Sequence, residues 1–349
     1  MMKQVAVVIL NWNGAQMLRQ FLPDVIRFSG DAEIVVADNA STDESVQLLE
    51  REFPGVRRIV FDRNHGFAQG YQLALAEVEA RYYVLLNNDV EVSPDWLLPL
   101  TEYMESHPQV AACQPKLRCH WDRGRFEYAG ASGGYVDVWG YPYCRGRVMG
   151  TLEEDLGQYD EPASLLWATG AALMVRSQAY WQVGGLDGRF FAHQEEIDLC
   201  WRLRSRGYGV ACVPASKVWH LGGGTLPKDS PHKTYLNFRN NLLLLYKNLP
   251  AQRLDKVMRV RFWLDALASV QFLLSGKWGS FCAVWRGRRD FFRMRPQFEK
   301  DRAENLGASV LPSVPEHTKV SILWQYYAKG NRTFSRIHPN GETKRNISV

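Results

Sequence analysis

An α/β fold with a mostly parallel sheet, followed by a basic and mainly helical region, is what this sequence predicts. Three observations carry that expectation. Short apolar, β-branched runs alternate with helical periodicity through the first third of the chain. Small polar residues stand at the carboxyl end of each run. The charge is unevenly divided: residues 1–227 hold 20 Lys+Arg against 28 Asp+Glu, whereas residues 228–349 hold 22 against 9. An acidic front, residues 1–227, is therefore expected to precede a basic back, residues 228–349.

The elements follow in order. Val5–Leu10 is a continuous apolar run, as a strand buried on both faces requires, and Ala15–Arg27 is helical. Glu33–Ala37 is a second buried strand ending in Asp38-Asn39. Ser41 and Glu44 stand at capping-box spacing before the next helix. Arg57–Phe61 is a short strand, and Gly66–Ala80 is helical. Tyr82–Leu86 is a fourth strand, ending in Asn87-Asn88-Asp89. Pro94 is placed just inside a helix running to about His107. Between Cys119 and Pro162 the pattern loosens into hairpins and loops. Leu173–Val175 is a strand, Gln194–Ser205 a helix and Gly209–Val213 a strand. Past Pro231, Tyr235–Asn248, Arg253–Leu274 and Phe281–Arg295 are helices rich in Arg and aromatics, with a turn near Gly276. The tail from about His338 has no periodicity and is expected to be mobile.

Composition narrows the class. Of 349 residues, 46% are hydrophobic and 23% charged, as in a soluble globular chain with a sizeable core. That excludes disordered, collagenous and disulfide-scaffold proteins. Cys113, Cys119, Cys144, Cys200, Cys212 and Cys282 form no CxxC pair and read as reduced, mostly buried thiols. The run Val5–Leu10 is too short for a signal-peptide core, and no stretch of about 18 apolar residues exists. The expected location is the cytoplasm.

Ligands of open α/β sheets bind outside the carboxyl ends of the strands. Asn11, Asp38, Asn64, Gly66 and Asn87-Asn88-Asp89 collect at four such ends. Asn and Asp also punctuate strands as turn formers, but four ends converging on one crevice favour a binding site. No GxGxxG follows the first strand and no GxxxxGK[ST] occurs, which argues against a dinucleotide dehydrogenase or a phosphate-loop ATPase. The remaining nucleotide chemistry is a carboxylate holding Mg²⁺ or Mn²⁺, which in turn holds a diphosphate. Asp89 is the candidate.

Several segments make this specific. They are Val7-Val8-Ile9-Leu10-Asn11-Trp12-Asn13-Gly14, Val36–Asp43, Asn64-His65-Gly66-Phe67-Ala68-Gln69-Gly70 and Leu85-Leu86-Asn87-Asn88-Asp89-Val90. Downstream stand Ala168-Thr169-Gly170-Ala171, Gly184-Gly185-Leu186-Asp187, Glu195-Glu196-Ile197-Asp198-Leu199-Cys200-Trp201-Arg202 and Val218-Trp219-His220-Leu221-Gly222-Gly223. In this order and spacing, over about residues 4–245, the chain resembles family 2 glycosyltransferases with the GT-A fold. Among them it resembles bacterial rhamnosyltransferase-like enzymes of surface-polysaccharide assembly.

The resemblance implies roles. Asp38 contacts the nucleobase, with Asn11, Asn64 and Gly66 beside it. Asn87-Asn88-Asp89 occupies the place of the family's DxD motif, with Asn where the leading acid stands, so Asp89 binds the metal. His220 completes the metal site. Glu196 holds the general-base position, usually Asp, within an acidic helix start that includes Glu195 and Asp198. Those carboxylates also complement a helix dipole, which is their plain structural reading. Arg239 supplies a cation to the diphosphate, or is an ordinary packing arginine.

The implied reaction is inverting transfer from a UDP- or dTDP-linked sugar, with rhamnose as the candidate, to a hydroxyl of a glycan or lipid-linked acceptor. A non-catalytic scaffold and a sugar nucleotidyltransferase are the alternatives. The basic back end, with Phe262, Trp263, Phe272, Trp278, Trp285, Phe291 and Phe292, reads either as a surface for anionic membrane or as a helical cap whose aromatics form core. Nucleic acid is not expected, because no motif for it accompanies the charge.

Overall fold

The computed structural model describes residues 3–222, 230–311, 313–314 and 316–339. Its frame is one large sheet. Strands β1 (Lys3–Asn11), β2 (Glu33–Asp38), β3 (Arg57–Val60) and β4 (Ala80–Asn87) run parallel, in spatial order β4-β1-β2-β3. Helices α1 (Ala15–Phe28), α2 (Ser45–Glu52) and α3 (Gly66–Ala76) connect them. After β5 (Val90–Val92) and α4 (Leu97–Ser106) comes β6 (Val110–Cys119).

A second, four-stranded sheet follows, made of β7 (Gly134–Val136), β8 (Pro142–Cys144), β9 (Arg147–Val148) and β10 (Thr151–Leu152). Then come β11 (Ala163–Ser164), β12 (Ala172–Arg176), α5 (Ser177–Gln182), α6 (Glu195–Ser205) and β13 (Gly209–His220). Strand β12 is antiparallel to both β4 and β6, and β13 is parallel to β6. Strands β1, β2, β3, β4, β6 and β13 therefore all end on one edge, where β12 begins.

This arrangement explains the apolar runs. Ala6, Val7, Val8 and Ile9 of β1 are buried on both faces, and so are Val35–Ala37 and Val84–Leu86. Continuous burial is what a sheet covered on both sides imposes.

The back of the chain is α7 (Pro231–Asn248), α8 (Ala251–Leu274), α9 (Trp278–Met294), α10 (Glu299–Gly307) and α11 (Phe334–Ile337). It shares a core with the sheet: Leu242–Leu245, Phe291, Phe298, Ile322 and Phe334 join the cluster that holds Leu85, Leu173 and Leu199. The expected boundary at 227/228 lies outside the described residues, as do Gly223 and the chain from residue 340 onward.

Four local expectations need correction. Ser41 does not cap α2, which starts at Ser45; its hydroxyl bonds Asp38 instead (2.7 Å). Pro94 lies in a turn, and α4 starts only at Leu97. Strand β13 continues past Val213 through a register shift to His220. His338 is buried, with its ring on Tyr143 and Phe334, so the chain is packed up to that point.

The larger correction concerns α8. Its buried positions are Val257, Arg261, Asp265 and Ser269, an i, i+4 stripe that is mostly polar. Phe262, Trp263, Leu267, Val270, Leu273 and Leu274 are exposed. Periodicity finds a stripe but not the side of the helix that faces inward, so these residues are not the core that the cap reading requires.

Candidate active site

The carboxyl edge of the sheet gathers the polar strand ends into two linked networks. In the first, Asn11 Nδ2 donates to Asp38 Oδ2 (3.0 Å), and Asn88 Nδ2 donates to Asn11 Oδ1 (2.8 Å). The Ser41 amide and hydroxyl donate to the two Asp38 oxygens (2.8 and 2.7 Å). Buried polar groups must be paired, and these are paired with one another across three strands. Gly14 permits the approach: a Cβ there would lie 2.2 Å from Asn88 Nδ2 and 2.4 Å from Asn11 Oδ1.

In the second network, Asn39 Nδ2 donates to Asn64 Oδ1 and to the Gly66 carbonyl (both 3.1 Å), and the Gly66 amide donates to Asn64 Oδ1 (2.8 Å). Gly66 adopts φ +76°, and a Cβ would collide with Phe191. Asn39, beside Asp38 at the end of the second strand, is one of the polar strand-end residues that this edge brings together. The Asp38 carboxylate is 1% exposed and committed to Asn11 and Ser41. Its visible work is to order the loop that frames the crevice.

The turn after β4 faces the end of β13, because β5 pairs with β13 and sets Val90 opposite His220. Asp89 Oδ1 lies 3.1 Å from His220 Nε2, and Asn87 Nδ2 lies 3.4 Å from the same nitrogen. On the other side of the ring, Glu127 Oε1 is 3.2 Å from Nδ1, an ion-pair contact rather than an aligned hydrogen bond. Burial pushes Asp89 upward, but the charge and hydrogen bond of His220 outweigh it and hold the carboxyl below its ordinary range. Burial also pulls His220 down, yet Glu127 and Asp89 together raise it to about 10. Glu127 comes from the loosely patterned region, where nothing in the sequence marked it.

One carboxylate oxygen and one imidazole nitrogen about 3 Å apart match neighbouring ligands of an octahedral ion with roughly 2.1 Å bonds, once the ion displaces the proton that Asp89 and Glu127 hold on the ring. No group of three or more His, Cys, Asp and Glu side chains suited to a metal occurs among the described residues. A divalent ion held here would need further ligands from a bound diphosphate and water. Backing of the imidazole by Glu127 is the outer-shell arrangement that orients metal-binding histidines.

Helix α6 brings the acidic cluster. The approach is strained: Phe191, His193 and Gln194 have φ of +68°, +71° and +76°, conformations costing about 1–3 kcal/mol each that persist only under outside restraint. The restraint is α7. Asn240 Nδ2 lies 2.8–2.9 Å from the carbonyls of Phe190, Ala192 and His193, and Asn241 Nδ2 reaches Gln194 Oε1 (3.1 Å). Arg239 is buried and donates to the Phe190 carbonyl (2.8 Å), with its guanidinium over Tyr235. The structure thus ties Arg239 to the loop before Glu196. The Phe191 carbonyl in turn accepts from Phe67 and Ala68 at the start of α3 (2.7 and 3.0 Å).

The three acids of α6 diverge. Asp198 is fully buried and bonded to Arg202 (2.8 Å), Lys247 (2.9 Å) and Asn248 (2.8 Å). Burial alone would raise it, but Arg202 and Lys247 hold it below its ordinary range. It anchors the helix. Glu195 and Glu196 each have one carboxylate oxygen with no partner. Burial, the neighbouring Glu196 charge and Asp198 push Glu195 well up. Burial lifts the half-buried Glu196 to about 7, against the hydrogen bonds of the helix start.

Glu196 adjoins the carboxyl edge of the sheet through the residues that lead into β12. A Cβ on Gly170 would lie 3.7 Å from Glu196 Cβ, and the next residue, Ala171, accepts the Asn87 amide (3.0 Å). A carboxylate with one free oxygen, raised to about 7 and set beside a crevice, has the properties of a general base.

The comparisons agree with this architecture. Residues 6–173 match the model for glycosyl transferase family 2. A relative from Mycobacterium tuberculosis, N-acetylglucosaminyl-diphospho-decaprenol L-rhamnosyltransferase, is 26% identical over 244 residues, covering 64% of this chain and 78% of the relative. Rhamnosyltransferase WbbL of Escherichia coli is 23% identical over 223 residues, covering 62% and 83%. Among solved structures, GalNAc-T7 with UDP, GalNAc and Mn²⁺ superposes with a TM-score of 0.54 at 17% identity, covering 70% of this chain and 48% of that one. Staphylococcus aureus TarS with UDP-GlcNAc gives 0.53 at 14% identity, covering 87% and 89%. The mixed sheet with its polar carboxyl edge is the GT-A fold; residues 6–173 match glycosyl transferase family 2, and somewhat under two thirds of the chain resembles the two rhamnosyltransferases.

Proposed function

We propose that this glycosyltransferase moves a sugar, with rhamnose as the leading candidate, from a UDP- or dTDP-linked donor to a hydroxyl of a lipid-linked or glycan acceptor, with inversion. The observation that carries the reading is the pairing of two features on one sheet edge. Asp89 and His220 could supply two ligands to an ion that a diphosphate would complete, and Glu196 brings a carboxylate with one free oxygen to the same edge.

The donor lies over Asn11, Asp38, Asn64, Gly66, Asn87 and Asn88. Asp38 shapes the loop at the base, and the exposed Trp12 offers a stacking face beside it. Asp89 and His220 would hold Mn²⁺ or Mg²⁺, and such an ion would supply positive charge to stabilise a departing nucleoside diphosphate. Glu196 accepts the proton of the acceptor hydroxyl as its oxygen attacks the anomeric carbon. The carbon–oxygen bond to the diphosphate breaks on the opposite face, so a single displacement inverts the centre. Arg239, Asn240 and Asn241 act at one remove, by holding the loop that aims Glu196. A lipid-linked diphosphate acceptor, as in the name of the mycobacterial relative, would be met at the inner face of the cell membrane.

Thermal unfolding with UDP-, dTDP- and GDP-linked sugars, each with and without Mn²⁺, tests the donor half. A donor at 100 times its Kd should add about 2.7 kcal/mol. The expected result is a shift with one base class that needs the metal and disappears in Asp89→Ala. A shift of equal size without metal, or one preserved in Asp89→Ala, would remove the metal from the site. For the reaction, NMR of the product should show the anomeric configuration inverted; retention would refute the single displacement. Donor binding with no transfer to any hydroxyl acceptor would instead favour the scaffold reading.

A further inference from the structure

Helix α8 is turned inside out relative to a water-facing helix. A surface helix normally sends its apolar stripe to the core and its polar stripe to solvent. Here Arg261, Asp265 and Ser269 point inward, and their charges are consumed there. Asp265 Oδ1 accepts from Arg261 (3.1 Å), its other oxygen pairs with Arg288 of α9, and the Arg261 guanidinium stacks over Tyr141. The outward stripe is Phe262, Trp263, Leu267, Val270 and Leu274, with Trp263 72% and Leu274 83% exposed.

Helix α9 extends this face. It returns beside α8 after the Gly276 turn (φ +71°), and its outward positions are Trp278, Cys282, Trp285, Arg289 and Phe292. The seam is closed by aromatic rings, since Phe262 lies 5.3 Å from Trp263 and 6.1 Å from Trp285. The apolar surface is therefore continuous across two helices, one of them 24 residues long, or about 36 Å. A patch of that extent on a soluble surface marks an interaction site.

The charge selects the occupant. Between residues 251 and 294 stand nine Lys+Arg and three Asp+Glu; Asp265 is buried together with its partners Arg261 and Arg288, which leaves seven bases and two acids outside that cluster. Arg259 lies on the outward side of α8 and Arg286, Arg289 and Arg293 on that of α9. A cavity of about 650 Å³ opens beside the patch, walled by Trp278, Phe281 and Trp285, with Arg286 and Arg289 lining it. Tryptophans and aliphatics flanked by arginines match the boundary between acyl chains and anionic headgroups. No helix among the described residues is long and apolar enough to cross a bilayer, so the face would lie on the membrane rather than span it.

We propose that the outer face of α8 and α9 docks the enzyme onto an anionic lipid bilayer, with Trp263, Leu267, Leu274 and Trp278 entering the headgroup–acyl boundary. This inference stands on the helices alone and does not depend on the donor or acceptor assigned above.

The test is co-sedimentation of the full chain with phosphatidylcholine vesicles, with or without 30 mol% phosphatidylglycerol, at low and high salt. Wild-type protein should bind the anionic vesicles at least tenfold more tightly than the neutral ones, and less tightly as salt rises. Leu267→Glu with Trp263→Glu should lose at least tenfold in binding while keeping the wild-type unfolding temperature and donor binding. Tryptophan fluorescence should be quenched by lipids brominated in the upper acyl chain, and the quenching should fall in Trp263→Phe, which retains binding. Absence of binding to either vesicle by folded protein would overturn the proposal. So would anionic binding unchanged in the double Glu variant. A concentration-dependent dimer abolished by that variant, without vesicle binding, would assign the face to a second copy of this chain and equally overturn it.

Discussion

The central sheet and helix α8 bury opposite kinds of side chain. Strands β1, β2 and β4 place Val, Ile, Leu and Ala inside on both faces and keep their polar residues for one edge. Helix α8 buries Arg261, Asp265 and Ser269 and leaves Trp263, Leu267 and Leu274 in the open. The sheet is stabilised by apolar area removed from water, at about 25 cal/mol per Å². The inner side of α8 instead depends on compensated charge, which holds only while every partner is present. A helix that forgoes apolar burial is organised around what lies outside it. The edge of the sheet and the outside of α8 are thus the two surfaces of this molecule built for something else to bind.

Substitutions can break that contrast or sharpen it. The largest effect is expected from Asp265→Ala, which leaves Arg261 and Arg288 buried without their shared carboxylate. It should cost about 3–5 kcal/mol in denaturant unfolding, and a loss below about 1 kcal/mol would show that the inner face of α8 is not held by charge. Leu85→Ala, in the middle of β4, should cost about 2–5 kcal/mol through lost transfer energy and the cavity left behind. Asn240→Ala sits between the regions. It releases three carbonyls of the strained loop, and should cost about 1–3 kcal/mol. It should also lower kcat about tenfold or more by letting Glu196 wander, with the KM for donor within about twofold. A raised donor KM at unchanged kcat would mean that the loop serves donor binding instead. The smallest effect belongs to Leu267→Ser: an exposed residue on an outward stripe should change stability by no more than about 0.5 kcal/mol, whereas a core leucine could not be replaced so cheaply.

What could be read from the chain divides along the same line. Continuous apolar, β-branched runs identify the strands, and Asn or Asp at each strand end marks the edge, because both signals are local. The fold and its family resemblance follow from them. Signals that depend on distant partners were not readable. Ser41 has capping-box spacing, yet Asp38 competes for its hydroxyl and wins. Glu127 meets His220 only because the loop after β6 folds back on the end of β13. Arg239 looks like a phosphate cation in sequence, but α7 delivers it to the carbonyls before Glu196. The periodicity of α8 is plain, and its orientation is set by Asp265 finding Arg288 on another helix. In each case local chemistry proposes and a tertiary partner decides.

The central claim is that Glu196 is the base of a transfer reaction run at the edge of the sheet. The most direct measurement is kcat against pH, at saturating donor and acceptor, for wild type and Glu196→Gln. Burial raises the Glu196 carboxyl to about 7, and it must be ionised to accept a proton. Wild-type kcat should therefore fall tenfold per pH unit below about 7 and level off above it. Glu196→Gln should lower kcat by about 10²–10⁴-fold, abolish that limb and leave donor binding intact. A variant within a few-fold of wild type, or one that keeps the same acid limb, would contradict the assignment.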